Sequence, residues 1–200
     1  MTSAPARPAT RQRLPREQRA RQLLDAAWAL VRDEGSDALT LGRLAEAAGV
    51  TKPVVYDHFG TRNGLLLALY QDFDRRQTAI IDAAIAAARP TLEAKAQVIA
   101  CRYVACVLTQ GREIPGVLAA LGGSPELAAV KRQYQRAFIE KCQVILAPFS
   151  GPQGIAPASL WAMLGAADAL SDTAIAGDIT EEQARDELAQ TILAMVGRSH

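Results

Sequence analysis

Aromatic residues are scarce in this chain, 5% of 200 residues, although half of the composition is hydrophobic. No segment alternates apolar and polar residues like a half-buried strand, so a sheet-based core is set aside and an all-α fold is expected. Histidine is scarcer still. With only His58 and His200, neither a His-rich metal site nor a local His–carboxylate relay is suggested. The three cysteines, Cys101, Cys106 and Cys142, are odd in number and lack metal-type spacing, which points to buried free thiols in a reducing cytoplasm. No apolar run approaches the roughly 18 residues of a membrane span, and the N-terminus has no apolar stretch of a secretory signal. Neither a membrane partner nor a leader is therefore expected. A phosphate-cradling loop, a dinucleotide fingerprint and a nucleophile elbow are all missing. The acids lie mostly on polar helix faces, where solvation explains them. A non-enzymatic protein without metal or cofactor is the expectation.

What the chain does have is unevenly distributed charge. The formal net charge is +1, yet residues 1–24 hold six arginines (Arg7, Arg11, Arg13, Arg16, Arg19 and Arg21) against one acid, Glu17. The remainder carries more acids than bases. Pro5, Pro8 and Pro15 interrupt the start, so residues 1–15 are expected to form an irregular, flexible basic arm. Such an arm serves either as a polyanion contact or as a solvated tail.

Helical periodicity begins at Arg16. Leu23, Ala27, Leu30 and Val31, with Leu24 and Trp28 beside them, make a stripe that ends near Gly35. The most informative stretch follows, residues 39–67, LTLGRLAEAAGVTKPVVYDHFGTRNGLLL. Two short helical patterns are separated there by Gly49. Thr40 is placed to cap the first, whose apolar face is Leu41, Leu44, Ala45 and Ala48. Gly49 is free to take the positive φ that ends it. Thr51 is placed to cap the second, with Pro53 in the first turn. Val55 and Phe59 turn inward on that helix, while Pro53 and Asp57 lie opposite, flanked by Val54 and Tyr56. A helix, a tight turn and a second short helix with one presented face is the layout of a helix-turn-helix DNA reader.

These residues closely resemble the DNA-binding core of the TetR family of transcriptional regulators. Carrying the resemblance are Leu39-Thr40, the run Leu44-Ala45-Glu46-Ala47-Ala48-Gly49-Val50, the Tyr56-x-His58-Phe59 signature and the pair Leu65-Leu66. It is firm from about Arg16 to Leu69 and one of architecture beyond. The resemblance implies a three-helix DNA-binding domain over residues 16–61, whose helix Lys52 to Phe59 enters the major groove of a double-stranded operator. Lys52, Pro53, Val54 and Asp57 would lie nearest base edges, and Thr40, Tyr56, His58 and Arg62 would reach phosphates. Arg43 and Thr51 complete the expected contacts. Chemically, Lys52 suits guanine, Val54 or Pro53 a thymine methyl, and Asp57 cytosine. Asp57 has alternatives, because a carboxylate near phosphates is repelled: it helps the helix N-terminus or pairs with Lys52 or Arg62. Tyr56 and His58 either contact phosphate or cover the core beside Phe59. Gly42 departs from the larger, often polar residue of many relatives, which removes one possible contact.

Residues 62–200 are expected to form a C-terminal helical domain, joined to the first by a long helix from a Thr61 cap to about Ala88. Leu65, Leu69 and Phe73 share one face of that helix, resumed by Ile80, Ala84 and Ile85, with a largely polar stretch between. A nearly all-apolar helix from about Leu92 to Thr109 belongs at the domain's centre. On it Lys95, Arg102 and Thr109 form a narrow solvated stripe, or Arg102 meets an anionic ligand. Ser124-Pro125-Glu126 starts another helix, and Thr180-x-x-Gln183 is a capping box. Two helices close the chain, Ala158 to Ala176 and Glu181 to Val196. By the resemblance, this domain holds an unidentified small-molecule effector. Tyr103, Phe138, Cys142, Trp161 and Met163 are candidate lining residues, each also readable as plain core. The resemblance further implies a homodimer through the last two helices, with Leu160, Leu164, Leu188, Ile192 and Met195 at the interface; an intramolecular core is the other reading of the same pattern. The expected function is a ligand-responsive transcriptional regulator, a repressor, in the cytoplasm. The alternative is a constitutive DNA-binding helical dimer without small-molecule control.

Overall fold

In a computed structural model, which describes residues 14–199 without the side chains of residues 111–113, all regular structure among the described residues is helical. The arm with Arg7, Arg11 and Arg13, and His200, lie outside the described residues. The helices are α1 (Arg16–Glu34), α2 (Leu41–Ala47), α3 (Lys52–Phe59), α4 (Arg62–Ala87), α5 (Leu92–Glu113), α6 (Pro115–Ala120), α7 (Pro125–Leu146), α8 (Pro157–Ala176) and α9 (Glu181–Gly197). The chain divides into two units between Arg62 and Asn63.

The first unit is built on short apolar stripes. Leu23, Leu24, Ala27, Trp28 and Leu30 of α1 are buried with Leu39, with Leu41, Leu44 and Ala45 of α2, and with Val55 of α3. Each such leucine contributes about 1.5–3 kcal/mol on leaving water. Thr40 caps α2, its Oγ1 accepting from the Arg43 N–H at 3.0 Å. Gly49 turns the chain at φ 64°, which lets Val50 N–H reach back to the Ala45 carbonyl at 3.0 Å. Thr51 differs from expectation, because its hydroxyl makes no cap hydrogen bond although its backbone is extended. The reason lies in Pro53. A capping oxygen accepts from the second or third helical N–H; Pro53 has none, and Val54 N–H bonds the Thr51 carbonyl instead.

In the second unit α5, α8 and α9 pack mutually. Ala96, Ile99, Ala100 and Val104 of α5 meet Leu160, Met163, Leu164 and Ala167 of α8 and Ala184, Leu188, Ile192 and Met195 of α9 in one core. This corrects the interface assignment. Leu160, Leu164, Leu188, Ile192 and Met195 are each 2% exposed or less within a single chain. Their stripe has already been filled by α5, so a second copy cannot reach it. The outward side of α8 carries Trp161, 42% exposed, with exposed Ala162, Gly165 and Ala169.

The remaining helices also depart in places. On α4 it is Ile81 that turns inward, while Ile80 is 45% exposed, since one residue is a 100° rotation. The polar stretch holds a buried acid, Asp72, paired with Arg75 at 3.3 Å and Arg76 at 3.5 Å. Lys95 is no solvated stripe: its Nζ donates to the Ile85 and Ala88 carbonyls at 2.7 and 3.1 Å, closing the C-terminus of α4. Arg102 is exposed. The Thr180–Gln183 capping box forms with both its bonds, at 3.1 and 2.8 Å.

Burial pushes Tyr70 up from 10.0 to about 12, and the Cys106 and Cys142 thiols from 9.0 to about 12. These groups stay protonated in the folded chain at pH values where the unfolded chain has lost their protons. Stability is thus fully present below pH 9 and falls as pH rises toward 12, by up to roughly 1.4 kcal/mol per pH unit for each group. Urea unfolding between pH 8 and 11 should show this decline, and a Tyr70→Phe, Cys106→Ser, Cys142→Ser chain should show a shallower one. Leu164→Ala should lower unfolding free energy by about 2–5 kcal/mol through the cavity it leaves. Trp161→Ala, on the exposed side of the same helix, should change it by under about 1 kcal/mol in denaturant titrations at dilute concentration.

Candidate functional site

In the first unit only Val55 of α3 is buried outright, which leaves seven of that helix's residues partly or fully accessible. Lys52, Pro53, Tyr56 and Asp57 are exposed, Tyr56 to 53%, and Val54, His58 and Phe59 are half-buried. Lys52 stands outside every salt bridge among the described residues. Gly42 bears on its course: a Cβ there would lie 3.6 Å from Lys52 Cε and 3.9 Å from its Nζ. The lysine stem therefore passes over the gap left by the missing side chain. An open groove of about 500 Å³ runs between the start of α1 and this face of α3, lined by Leu14, Arg16, Arg19, Pro53, Val54, Asp57 and His58. A protruding helix of this size suits a major groove, and the basic rim suits a polyanion.

The structure reassigns several residues expected on that surface. Arg43 is held by Glu34 at 2.5 Å and by Glu46 at 3.6 Å. The bond from Arg43 holds the Glu34 carboxyl below its ordinary pKa and raises that of the arginine. Arg62 is turned into the first unit, its guanidinium donating to the Leu39 carbonyl at 2.9 Å and the Ser36 carbonyl at 2.8 Å. Both guanidinium forks thus already have geometrically suited acceptors within the first unit. Asp57 pairs with neither Lys52 nor Arg62. Its partner is Arg16, at 3.5 Å to the carboxylate and 3.5 Å to its backbone carbonyl. Both ends are largely exposed, so the pair is a weak one. Thr40 and Thr51 are exposed beside α2 and α3.

A separate cavity of about 420 Å³ lies in the second unit, between α4, α5, α7 and α8. Tyr103 and Phe138 line it, with rings 5.0 Å apart. Cys142, Trp161 and Met163 do not: Cys142 and Met163 are core residues, and Trp161 faces outward. Most of the lining escaped sequence reading, although a signal for it exists. Tyr70, Asp74, Gln77, Thr78 and Ile81 recur at helical spacing along α4, as Leu164, Asp168 and Asp172 do along α8. Polar residues on a face that should be buried mark a cavity wall. Tyr103 donates to Asp168 Oδ1 at 2.5 Å, and burial together with that bond drives its pKa far upward. Burial also raises Asp74, with Lys141 opposing the shift.

Residues 23–69 match the profile of the bacterial regulatory proteins of the tetR family. The HTH-type transcriptional activator FasR of Mycolicibacterium smegmatis is 46% identical over 59 residues, 30% of this chain and 27% of FasR. The HTH-type transcriptional regulator BetI of Cronobacter sakazakii is 34% identical over 79 residues, 40% of this chain and 38% of BetI. The match thus spans less than half the length of these curated relatives. Similarity of fold extends further. The multidrug binding protein EbrR, solved with imidazole, superposes with a TM-score of 0.63 at 20% identity, over 93% of this chain and 97% of EbrR; it has also been solved with ethidium. With the profile falling on α1, α2, α3 and the start of α4, residues 23–69 form a DNA-binding segment of the tetR-family type, and the likeness of fold extends over the rest of the chain.

Proposed function

We propose that this protein is a sequence-specific DNA-binding repressor that acts as a homodimer and changes its operator affinity when a small molecule occupies the second unit. The observation that carries the proposal is α3, an eight-residue helix with Lys52, Pro53 and Tyr56 exposed and Val54 half-buried beside them, within a matched helix-turn-helix unit. Lys52 and Val54 supply base-edge contacts, a donor for guanine and a methyl surface for thymine. Tyr56, His58, Thr40 and Thr51 supply phosphate contacts that set register. Asp57, engaged by Arg16, has its charge offset where phosphate would otherwise repel it.

Support for ligand control comes from the open cavity between α4, α5, α7 and α8, and from EbrR, a protein of similar fold that binds small molecules. A dry, filled domain would have favoured constitutive binding instead. The dimer face is the outward side of α8, Trp161, Ala162, Gly165 and Ala169, where small residues permit close helix approach. Repression needs only that the bound dimer occlude a promoter, whereas activation needs a further polymerase contact. In vitro transcription from a promoter carrying the bound site separates the two. With a pool of duplex variants, Lys52→Ala should redirect base preference at one position in each half-site. Tyr56→Phe should weaken all sites evenly, by roughly five- to tenfold, without changing their order. Sequencing of bound and unbound fractions reads both; an unchanged preference for Lys52→Ala would remove that residue from the reading surface.

A further inference from the structure

The cavity of the second unit carries more carboxylates than it can neutralise. Asp74, Asp168 and Asp172 line it against Lys131 and Lys141. Lys141 is engaged elsewhere, in an ion pair with Asp82, and Lys131 is exposed. Asp168 accepts the Tyr103 hydroxyl on one oxygen. Asp74 is different. It is half-buried, and among the described residues it makes no ion pair within 4.0 Å. Asp74, Tyr70, Tyr134 and Cys106 all line this one cavity. Four rings stand in two pairs along the walls, Tyr70 with Tyr134 at 6.0 Å and Tyr103 with Phe138 at 5.0 Å.

We infer that the cavity selects a monocationic organic molecule bearing an aromatic ring, with Asp74 as counter-ion and the faces of Tyr70 and Tyr134 as its walls. The inference rests on the proposal that this cavity holds the effector. An anionic ligand would add like charge to three carboxylates, and a neutral one would remove water from Asp74 without replacing it. A cation compensates the carboxylate, and ring faces attract it further. A cavity of about 420 Å³ has room for one ring and a small ammonium head.

Three probes of similar size decide the matter when dialysed to equilibrium against the full chain: phenyltrimethylammonium, its neutral isostere tert-butylbenzene, and benzoate. Phenyltrimethylammonium should bind at least about tenfold tighter than either of the others. Asp74→Asn, checked for an unchanged circular dichroism spectrum, should erase that preference, and Lys141→Met should enlarge it by removing the opposing charge. Tighter binding of the neutral probe or of benzoate, or a preference that survives Asp74→Asn, overturns the charge assignment and leaves the effector-cavity proposal standing. Absence of saturable binding by all three overturns both.

Discussion

The clasp of Arg62 on two loop carbonyls is the contact on which the reading unit depends. The segment between α1 and α2 has no helical partners for its carbonyl groups, and a buried carbonyl left without a donor costs about 1–3 kcal/mol. Arg62 supplies the Leu39 carbonyl with a donor and gives the Ser36 carbonyl, which also accepts from the Leu39 N–H at 3.2 Å, a second one. Leu39 directly precedes Thr40, whose hydroxyl starts α2, and α2 carries α3 through the Gly49 turn. The direction in which α3 presents its face therefore follows from a residue that lies outside both helices. Arg62 is also the first residue of α4, and the same helix contributes Tyr70, Asp74, Gln77, Thr78 and Ile81 to the cavity wall. For the proposed control, a ligand must bind one arrangement of α4 better than another; affinity without that difference shifts nothing.

Electrostatics divides the reading unit into structural and available charge. Between Thr40 and Gly60 the formal charges are Arg43 and Lys52 against Glu46 and Asp57. Arg43 is taken up by Glu34 and Glu46, and Asp57 by Arg16. Lys52 is the one of these four outside every salt bridge among the described residues. Its stem passes over Gly42 of α2, where a Cβ would meet Lys52 Cε in ordinary contact at 3.6 Å.

Much of the fold was legible because helical periodicity and capping are local. The α1 stripe, the Thr40 cap, the Gly49 turn and the Thr180 capping box follow from residues within one turn of each other. Thr51 reads as a capping residue, but Pro53 removes the donor its hydroxyl would meet. Ile80 reads as inward because a polar interruption hides the phase of a long helix. Leu160, Leu164, Leu188, Ile192 and Met195 show a deeper limit: an apolar stripe states that something covers it, and α5 and a second copy are equivalent in that pattern. Arg43 and Arg62 had the right chemistry for phosphate, and only the fold brings Glu34 and the Ser36 carbonyl to them. The cavity was least legible, since Asp74 in a polar stretch reads as solvated until α5, α7 and α8 enclose it.

The most direct measurement is selection by the full chain from duplexes randomised over about 30 base pairs, at near-physiological salt, with the bound fraction sequenced over successive rounds. A homodimer reading through α3 predicts enrichment of two inverted half-sites with a fixed spacing set by the helical repeat. Recovery of a pool no different from the input would contradict the assignment of α3 as a sequence reader, and a single unpaired half-site would contradict the dimer.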